Sequence, residues 1–144
     1  MKSAIPSHSK NPEAYYHFLL SQMKMREGKL EEAIQEIKEA IQYDPKTPSL
    51  RVELAHLHSY MGALNEAIDA CKAVLDLDPR SLSAHLLLGG IYTSLKKNRL
   101  AIESYRKAIE IDPNQRESYL YLSSLLAGNR EYEKAIQSLE AYLK

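Results

Sequence analysis

Residues 88–113 read LGGIYTSLKKNRLAIESYRKAIEIDP, and the pattern of this stretch recurs along most of the chain. Its central alanine belongs to a series with a constant spacing of 34 residues. The series consists of Ala33, Ala67, Ala101 and Ala135. The Asp-Pro pair that closes the stretch keeps the same spacing and occurs at Asp44-Pro45, Asp78-Pro79 and Asp112-Pro113. A constant spacing at so many positions indicates a tandem repeat of one structural unit.

The spacing divides the chain into an N-terminal leader, residues 1–13, and a repeat domain, residues 14–144. The repeats are 14–47, 48–81, 82–115 and 116–144, and the last is incomplete because it stops before the Asp-Pro pair. We expect the leader to be a simple flexible tail, and the alternative is that its apolar residue Ile5 docks in a neighbouring groove.

Two helices are predicted in each repeat, because apolar residues recur three and four positions apart. The first repeat shows this spacing at Leu20 and Met23, and again at Leu30, Ala33 and Ile34. A break follows the first helix, at Gly28-Lys29, Gly62-Ala63, Lys97-Asn98 and Asn129-Arg130. Gly or Asn at this point predicts a left-handed residue that ends the helix. The residue before proline is disfavoured in a helix, so the Asp-Pro pair ends the second one. The chain is therefore predicted to be all-α.

Positions within a repeat are counted below from Ala14, Pro48, Leu82 and Arg116. Small residues at position 20, the alanine series, and at position 8 predict close packing of the two helices. Position 8 holds Ser21, Ala55, Gly89 and Ser123. Position 24 holds Ile37, Cys71, Tyr105 and Leu139, which we expect to fill the space between helices. A helix pair cannot bury its apolar face alone, so neighbouring repeats must stack.

This arrangement resembles the tetratricopeptide repeat family, whose 34-residue signature is Trp-x2-Leu-Gly-x2-Tyr, then Ala-x3-Phe, then Pro. The third repeat matches it best, through Leu88-Gly89, Tyr92, Ala101-x3-Tyr105 and Pro113. The tryptophan position departs from the signature and holds His17, Arg51, His85 and Tyr119. The resemblance implies a right-handed α-solenoid, a superhelix of about four helix-turn-helix pairs whose first helices line a concave groove.

The resemblance also implies a protein or peptide partner in this groove. Helical spacing places positions 2, 5, 6, 9, 12 and 13 of each first helix toward it. We expect the groove to be formed by Tyr15, Phe18, Leu19, Gln22, Arg26, Val52, Glu53, His56, Tyr60, Leu86, Leu87, Gly90, Leu120, Tyr121 and Ser124. Most of these residues are apolar or aromatic, and a contiguous apolar strip usually marks a binding site. The alternative is that positions 5 and 6 pack onto adjacent helices.

One subgroup of the family grips the C-terminal carboxylate of chaperone peptides with lysine, asparagine and arginine. The corresponding positions here hold Phe18, Gln22, Glu53, Ser83 and Leu87. None of them is a cation, and a desolvated carboxylate needs charge-assisted donors. We therefore expect a peptide partner that is bound without a carboxylate clamp.

Other classes of function lack support in the sequence. Nineteen Lys and Arg balance nineteen Asp and Glu, so no basic excess favours nucleic acid or an anionic membrane. His56 and His58 are two residues apart and face different sides of a helix, and Cys71 falls on a core position. No catalytic, phosphate-binding or metal-binding motif is present. We predict no enzymatic activity, no cofactor and no metal, and a cytoplasmic location.

Two functions remain open: a scaffold that binds a peptide segment of a partner, or a self-associating structural module or piece of a longer array. The second follows from the incomplete last repeat, because terminal repeats normally need a polar cap. The residues expected to mediate self-association there are Leu139, Tyr142 and Leu143.

Overall fold

The computed structural model describes residues 10–144, which form eight α-helices and no strand. The helices are α1 (Pro12–Arg26), α2 (Leu30–Tyr43), α3 (Pro48–Tyr60), α4 (Leu64–Leu77), α5 (Leu82–Ser94), α6 (Asn98–Ile111), α7 (Arg116–Gly128) and α8 (Tyr132–Leu143). Each repeat supplies one helix pair, so the predicted all-α repeat architecture is confirmed. Residues 1–9, including Ile5, lie outside the described part of the chain, and α1 begins within the last residues of the predicted leader.

The chain folds as two compact units. Unit 1 ends at Pro79 and contains α1–α4, and unit 2 begins at Arg80 and contains α5–α8. In unit 1, α2 packs on α1 and α3, and α4 completes the second pair. Unit 2 repeats this order, with α6 packed on α5 and α7 and with α8 packed on α7. Each unit is therefore two stacked helix pairs with its own apolar core.

The turn inside each repeat always places position 15 in the left-handed conformation. Gly28 and Gly62 have φ +76°, Lys96 has φ 58° and Arg130 has φ 64°. The prediction that asparagine takes this role in the last two repeats is wrong, since Asn98 begins α6 and Asn129 is a C-cap with φ −85°. The same hydrogen bond closes the turn throughout: Lys29 N donates to Lys24 O at 2.9 Å, and Lys97 N to Tyr92 O at 2.8 Å. The stacking of the repeats fixes this turn, even where the residue is not glycine.

The core positions are occupied as the repeat spacing predicts, except at Leu139, which is 36% exposed on α8. Ala33, Ala67 and Ala101 are fully buried, and Ala135 is 7% exposed. Cys71 is also fully buried, and the loss of hydration raises the pKa of its thiol to about 12. A thiol in this state is an apolar filler of the core and not a nucleophile.

Gly89 and Tyr105 show how tightly positions 8 and 24 are matched. A Cβ atom added at Gly89 would lie 2.6 Å from Cζ of Tyr105, well inside van der Waals contact. The first repeat has a larger residue at position 8 and a smaller one at position 24, namely Ser21 and Ile37. The volume that α5 gives up at Gly89 is therefore filled by the ring that α6 supplies.

Candidate functional site

In unit 1, the predicted groove residues vary widely in exposure. Leu19 is 43% and Tyr60 68% exposed, and Arg26 is also exposed. The half-buried members are Tyr15, Gln22, Val52, Glu53 and His56. Phe18 is only 4% exposed and belongs to the core of unit 1. Phe18, at position 5, therefore packs against neighbouring helices, as the alternative interpretation of this position expected, and does not form a groove surface.

A polar contact crosses from α1 to α3 on this face of unit 1. Gln22 Nε2 donates to Glu53 Oε2 at 3.2 Å. The rings of His56 and Tyr60 stack nearby along α3, with centroids 6.4 Å apart. The side chains of unit 1 thus bond with one another on the surface where a ligand was expected.

In unit 2, the equivalent face contains an open cleft of about 360 Å³ between α5 and α7. It is lined by Leu86, Gly90, Thr93, Tyr105, Tyr121, Ser124 and Leu125. Five of these residues, Leu86, Gly90, Thr93, Tyr121 and Ser124, lie at positions predicted to face the groove, whereas Leu87 and Leu120 do not line the cleft. The volume falls within the range of small-ligand and side-chain pockets.

Small residues hold the cleft open. A Cβ atom added at Gly90 would meet no other atom within 4 Å, so space begins directly at the backbone of α5. Ser124 faces the same space from α7 and is exposed. The backbone and side chain of a ligand have room to approach here.

The floor of the cleft is a stacked pair of tyrosines. The rings of Tyr105 and Tyr121 are 5.3 Å apart, with an interplanar angle of 27°. Tyr121 is 54% exposed and Tyr105 4%, so one ring offers its surface and the other supports it from below. Stacked aromatic pairs of this kind contribute about 0.5–1.5 kcal/mol beyond their buried area.

Hydroxyl groups also line the cleft. Thr93 Oγ1 donates to the Gly89 carbonyl oxygen at 2.7 Å, and the same hydroxyl lies near the phenol of Tyr105. Burial raises the pKa of the Tyr105 phenol, Tyr121 raises it further, and the neighbouring Thr93 hydroxyl opposes them in part. No lining residue is charged at neutral pH, so the cleft suits an uncharged group.

Tyr105 and Leu125 were missed from the sequence as site residues. Tyr105 belongs to a second helix, which the family pattern assigns to the outside of the groove, and it reaches the cleft because Gly89 leaves its path free. The adjacent glycines 89 and 90 could have indicated the cleft from the sequence. Gly89 leaves room for the Tyr105 ring, and Gly90 leaves the cleft open beside α5.

A larger cleft of about 600 Å³ lies between α6 and α8 of the same unit, but it is lined by charges of both signs. Lys107 Nζ lies 3.4 Å from Glu110 Oε2, and Lys134 Nζ lies 2.5 Å from Glu131 Oε2. These charges already pair with one another at the solvent surface, so we do not assign a ligand to this cleft.

Within residues 10–144, no group of three or more His, Cys, Asp or Glu residues is arranged to hold a metal ion. His17 has Nδ1 2.7 Å from Glu36 Oε2 and stacks on Tyr43. No helix in this part of the chain has the length and apolar character needed to cross a membrane.

The residues predicted to mediate self-association lie on α8. Leu143 is 80% exposed, whereas Leu139 and Tyr142 are each 36% exposed. The ring of Tyr142 also packs on Tyr119, with centroids 5.1 Å apart.

Comparisons with known proteins agree with this architecture. The model of the tetratricopeptide repeat family matches residues 14–47, 48–81 and 82–115, the ranges of the first three repeats. The crystal structure of MamA superimposes with a TM-score of 0.83 at 23% identity, covering 90% of this chain and 76% of MamA. A thermophilic TPR protein of Thermus thermophilus gives 0.70 at 20% identity, covering 90% and 73% of the two chains.

A third solved structure contains a bound peptide. It is the first TPR domain of Spaghetti (RPAP3) with the HSP90 peptide SRMEEVD, at a TM-score of 0.71 and 22% identity, covering 93% of this chain and 98% of that one. At these identities the similarity establishes the fold alone. No curated protein sequence is significantly similar to the chain.

Proposed function

This chain belongs to the tetratricopeptide repeat family, and we propose that it is an interaction scaffold that binds a peptide segment of a partner protein in the cleft of unit 2. The observation that carries the proposal is the combination of Gly90 and the Tyr105–Tyr121 stack. Together they form an open, uncharged cavity on the face of the first helices.

The chemistry of the cleft defines the ligand. Leu86, Leu125 and the exposed ring of Tyr121 favour an apolar or aromatic side chain, and Thr93 and Ser124 offer hydroxyls to its backbone. A buried side chain of this size contributes roughly 1.5–3 kcal/mol. Micromolar binding requires about 8 kcal/mol, so the peptide must make further contacts along α5 and α7.

We infer that this binding does not use a carboxylate clamp. Spaghetti (RPAP3) was solved with a peptide that ends in Glu-Glu-Val-Asp. At the corresponding positions of this chain, Glu53 carries a negative charge that would repel a carboxylate, and Gln22 already donates to it. Phe18 is buried, and Ser83 and Leu87 supply no charge.

Filling the cleft tests the proposal. Gly90→Gln places in unit 2 the residue that unit 1 has at position 9, and the added side chain starts in open space. Peptides selected from a displayed random library on the intact chain provide the probe. We expect Gly90→Gln to weaken their binding, measured by fluorescence anisotropy, by at least about tenfold, equivalent to 1.4 kcal/mol.

The control is Glu103→Gln, an exposed residue of the second helix α6 that does not line the cleft. It should bind the selected peptides like the wild type. Equal binding by Gly90→Gln, with a helical content unchanged by circular dichroism, would contradict the proposal. Selection of peptides that all end in acidic residues would contradict the absence of a clamp.

A second candidate function is self-association as a structural module. The exposed apolar residues of α8 favour it, above all Leu143. It is compatible with peptide binding, because α8 contributes no residue to the cleft between α5 and α7.

A further inference from the structure

One interface is built twice within the chain, and the second helix of a repeat supplies one half of it. In unit 1, Ile34, Ile37 and Ala40 of α2 are at most 6% exposed where α3 packs on α2. In unit 2, the equivalent residues of α6, Ile102, Tyr105 and Ala108, are at most 9% exposed where α7 packs on α6. Positions 21, 24 and 27 are thus covered by the next first helix.

Within residues 10–144, no first helix covers these positions on α8. They are occupied by Ile136, Leu139 and Tyr142, which are 55%, 36% and 36% exposed. Leu143 at position 28 is 80% exposed, whereas Ile41 and Ile109, its equivalents on α2 and α6, are half-buried and pack on their cores. This face of α8 has the shape and composition of half an interface.

The other half is exposed on α1. In unit 1, α3 presents Leu50 and Leu57 to the preceding pair at positions 3 and 10, and both are at most 1% exposed. The same positions of α1 hold Tyr16 and Met23, which are 59% and 47% exposed. Leu20 lies between them at position 7 and is half-buried.

We propose that α1 of a second copy of this chain docks on α8 of the first, so that copies join head to tail. The inference gives the self-association candidate a defined pair of surfaces and is independent of the peptide cleft. The contact would continue the interface that α2 and α3 already form, with Met23 and Tyr16 against Ile136, Leu139 and Leu143. Large apolar residues exposed together in this way mark interaction surfaces.

Charge supports the pairing. In unit 1, Glu31 at position 18 and His58 at position 11 line the same cleft between neighbouring repeats. In the proposed contact these positions are Glu133 of α8 and Lys24 of the docking α1, which are opposite charges. Lys24 lies 3.0 Å from Glu32 in the single chain, so it would sit between two carboxylates in the assembly.

The two faces differ, so the contact is heterologous, and each added copy leaves both an α1 and an α8 face free. We expect sedimentation velocity of the 144-residue chain to give a mass that rises with concentration in multiples of 16.4 kDa. Leu143→Glu on α8 and Met23→Glu on α1 should each remain monomeric alone. Both residues are exposed, so neither variant should affect folding.

Mixing the two variants is the decisive measurement. The Leu143→Glu chain retains its α1 face and the Met23→Glu chain retains its α8 face, so the mixture should form a dimer and stop there. A monomeric wild type at every concentration would overturn the proposal. So would assembly of Met23→Glu alone, because α8 would then pair with itself. Gly90→Gln should assemble like the wild type, because Gly90 lies in the peptide cleft and not on either docking face. Failure of the head-to-tail proposal would therefore leave the test of peptide binding unaffected.

Discussion

Units 1 and 2 have the same helix order but differ on the face of their first helices where we propose that a partner binds. In the first repeat of each unit, positions 9 and 12 hold Gln22 and Met25 in unit 1 but Gly90 and Thr93 in unit 2. Gln22 bonds to Glu53 across the face of unit 1, and Gly90 leaves a cleft of about 360 Å³ beside Tyr121 in unit 2. The repeat needs its small residues at positions 8 and 20, but the residues at the groove positions are free to vary. The same fold therefore presents a hydrogen-bonded surface in unit 1 and an open cleft in unit 2.

The largest effect on this comparison is expected from Gly89→Ala. The new methyl group would overlap the Tyr105 ring, and overpacking of this kind costs about 1–3 kcal/mol. Urea unfolding should show a lower midpoint, and Gly89→Ala combined with Tyr105→Leu should recover part of the loss. An unchanged midpoint for Gly89→Ala would mean that the ring moves without cost, and the matching of positions 8 and 24 would be refuted.

The turns inside the repeats give a second contrast, because unit 1 has glycine at position 15 and unit 2 has Lys96 and Arg130. A non-glycine residue in the left-handed region is strained by roughly 1–2 kcal/mol. Since glycine also loses more entropy on folding, we expect Lys96→Gly to stabilise the chain by a net of about 1 kcal/mol. Thermal unfolding measures it, and Gly28→Ala is the reverse control, which should destabilise.

Gly90→Ala should have a smaller effect, of opposite sign to that of its neighbour Gly89→Ala. The added methyl group meets no atom within 4 Å, and alanine is favoured over glycine inside a helix by about 0.5–1 kcal/mol. The free energy of unfolding in urea should rise toward the lower end of this range. A loss of stability would show that the cleft is filled in the folded chain.

The smallest expected effect is on the pH dependence of stability, and it comes from position 11, where unit 1 has His58. Burial lowers the pKa of His58 below 6.5, Lys38 lowers it further, and Glu66 acts in the opposite direction. The unfolded chain therefore takes up this proton first as the pH falls through 6.5, so the stability associated with neutral His58 is present above this pH and declines below it.

In unit 2, position 11 holds Tyr92 and Leu126, and neither is a histidine. Thermal midpoints of His58→Gln should therefore decline less than those of the wild type between pH 7.5 and pH 5. Parallel profiles for the two proteins would exclude a contribution from His58.

Much of the fold follows from the sequence, because a repeat written four times constrains every position four times. The alanine series and the Asp-Pro pairs place the helices of both units. The left-handed residues of unit 2 were not predictable from residue type, since the stacking of the repeats fixes the turn at Lys96 and Arg130 although both are unfavourable there.

The candidate site was predicted less completely than the fold. Spacing on the first helices identified Leu86, Gly90, Tyr121 and Ser124, but periodicity on one helix carries no information about Tyr105 on another. Phe18 shows the opposite kind of error. Its position in the repeat predicts that it lines the groove, but its large apolar side chain is buried in the core of unit 1.

The contact between Gly89 and Tyr105 has a consequence for how such a scaffold can evolve. The ring of Tyr105, from the second helix α6, forms part of the wall of the proposed binding cleft, so selection on the second helix could change which partner is accepted. Exchange of Tyr105 for a smaller residue would deepen the cleft without altering any first-helix residue. If the proposed cleft binds a ligand, its preference depends partly on Tyr105, a residue that is otherwise part of the core.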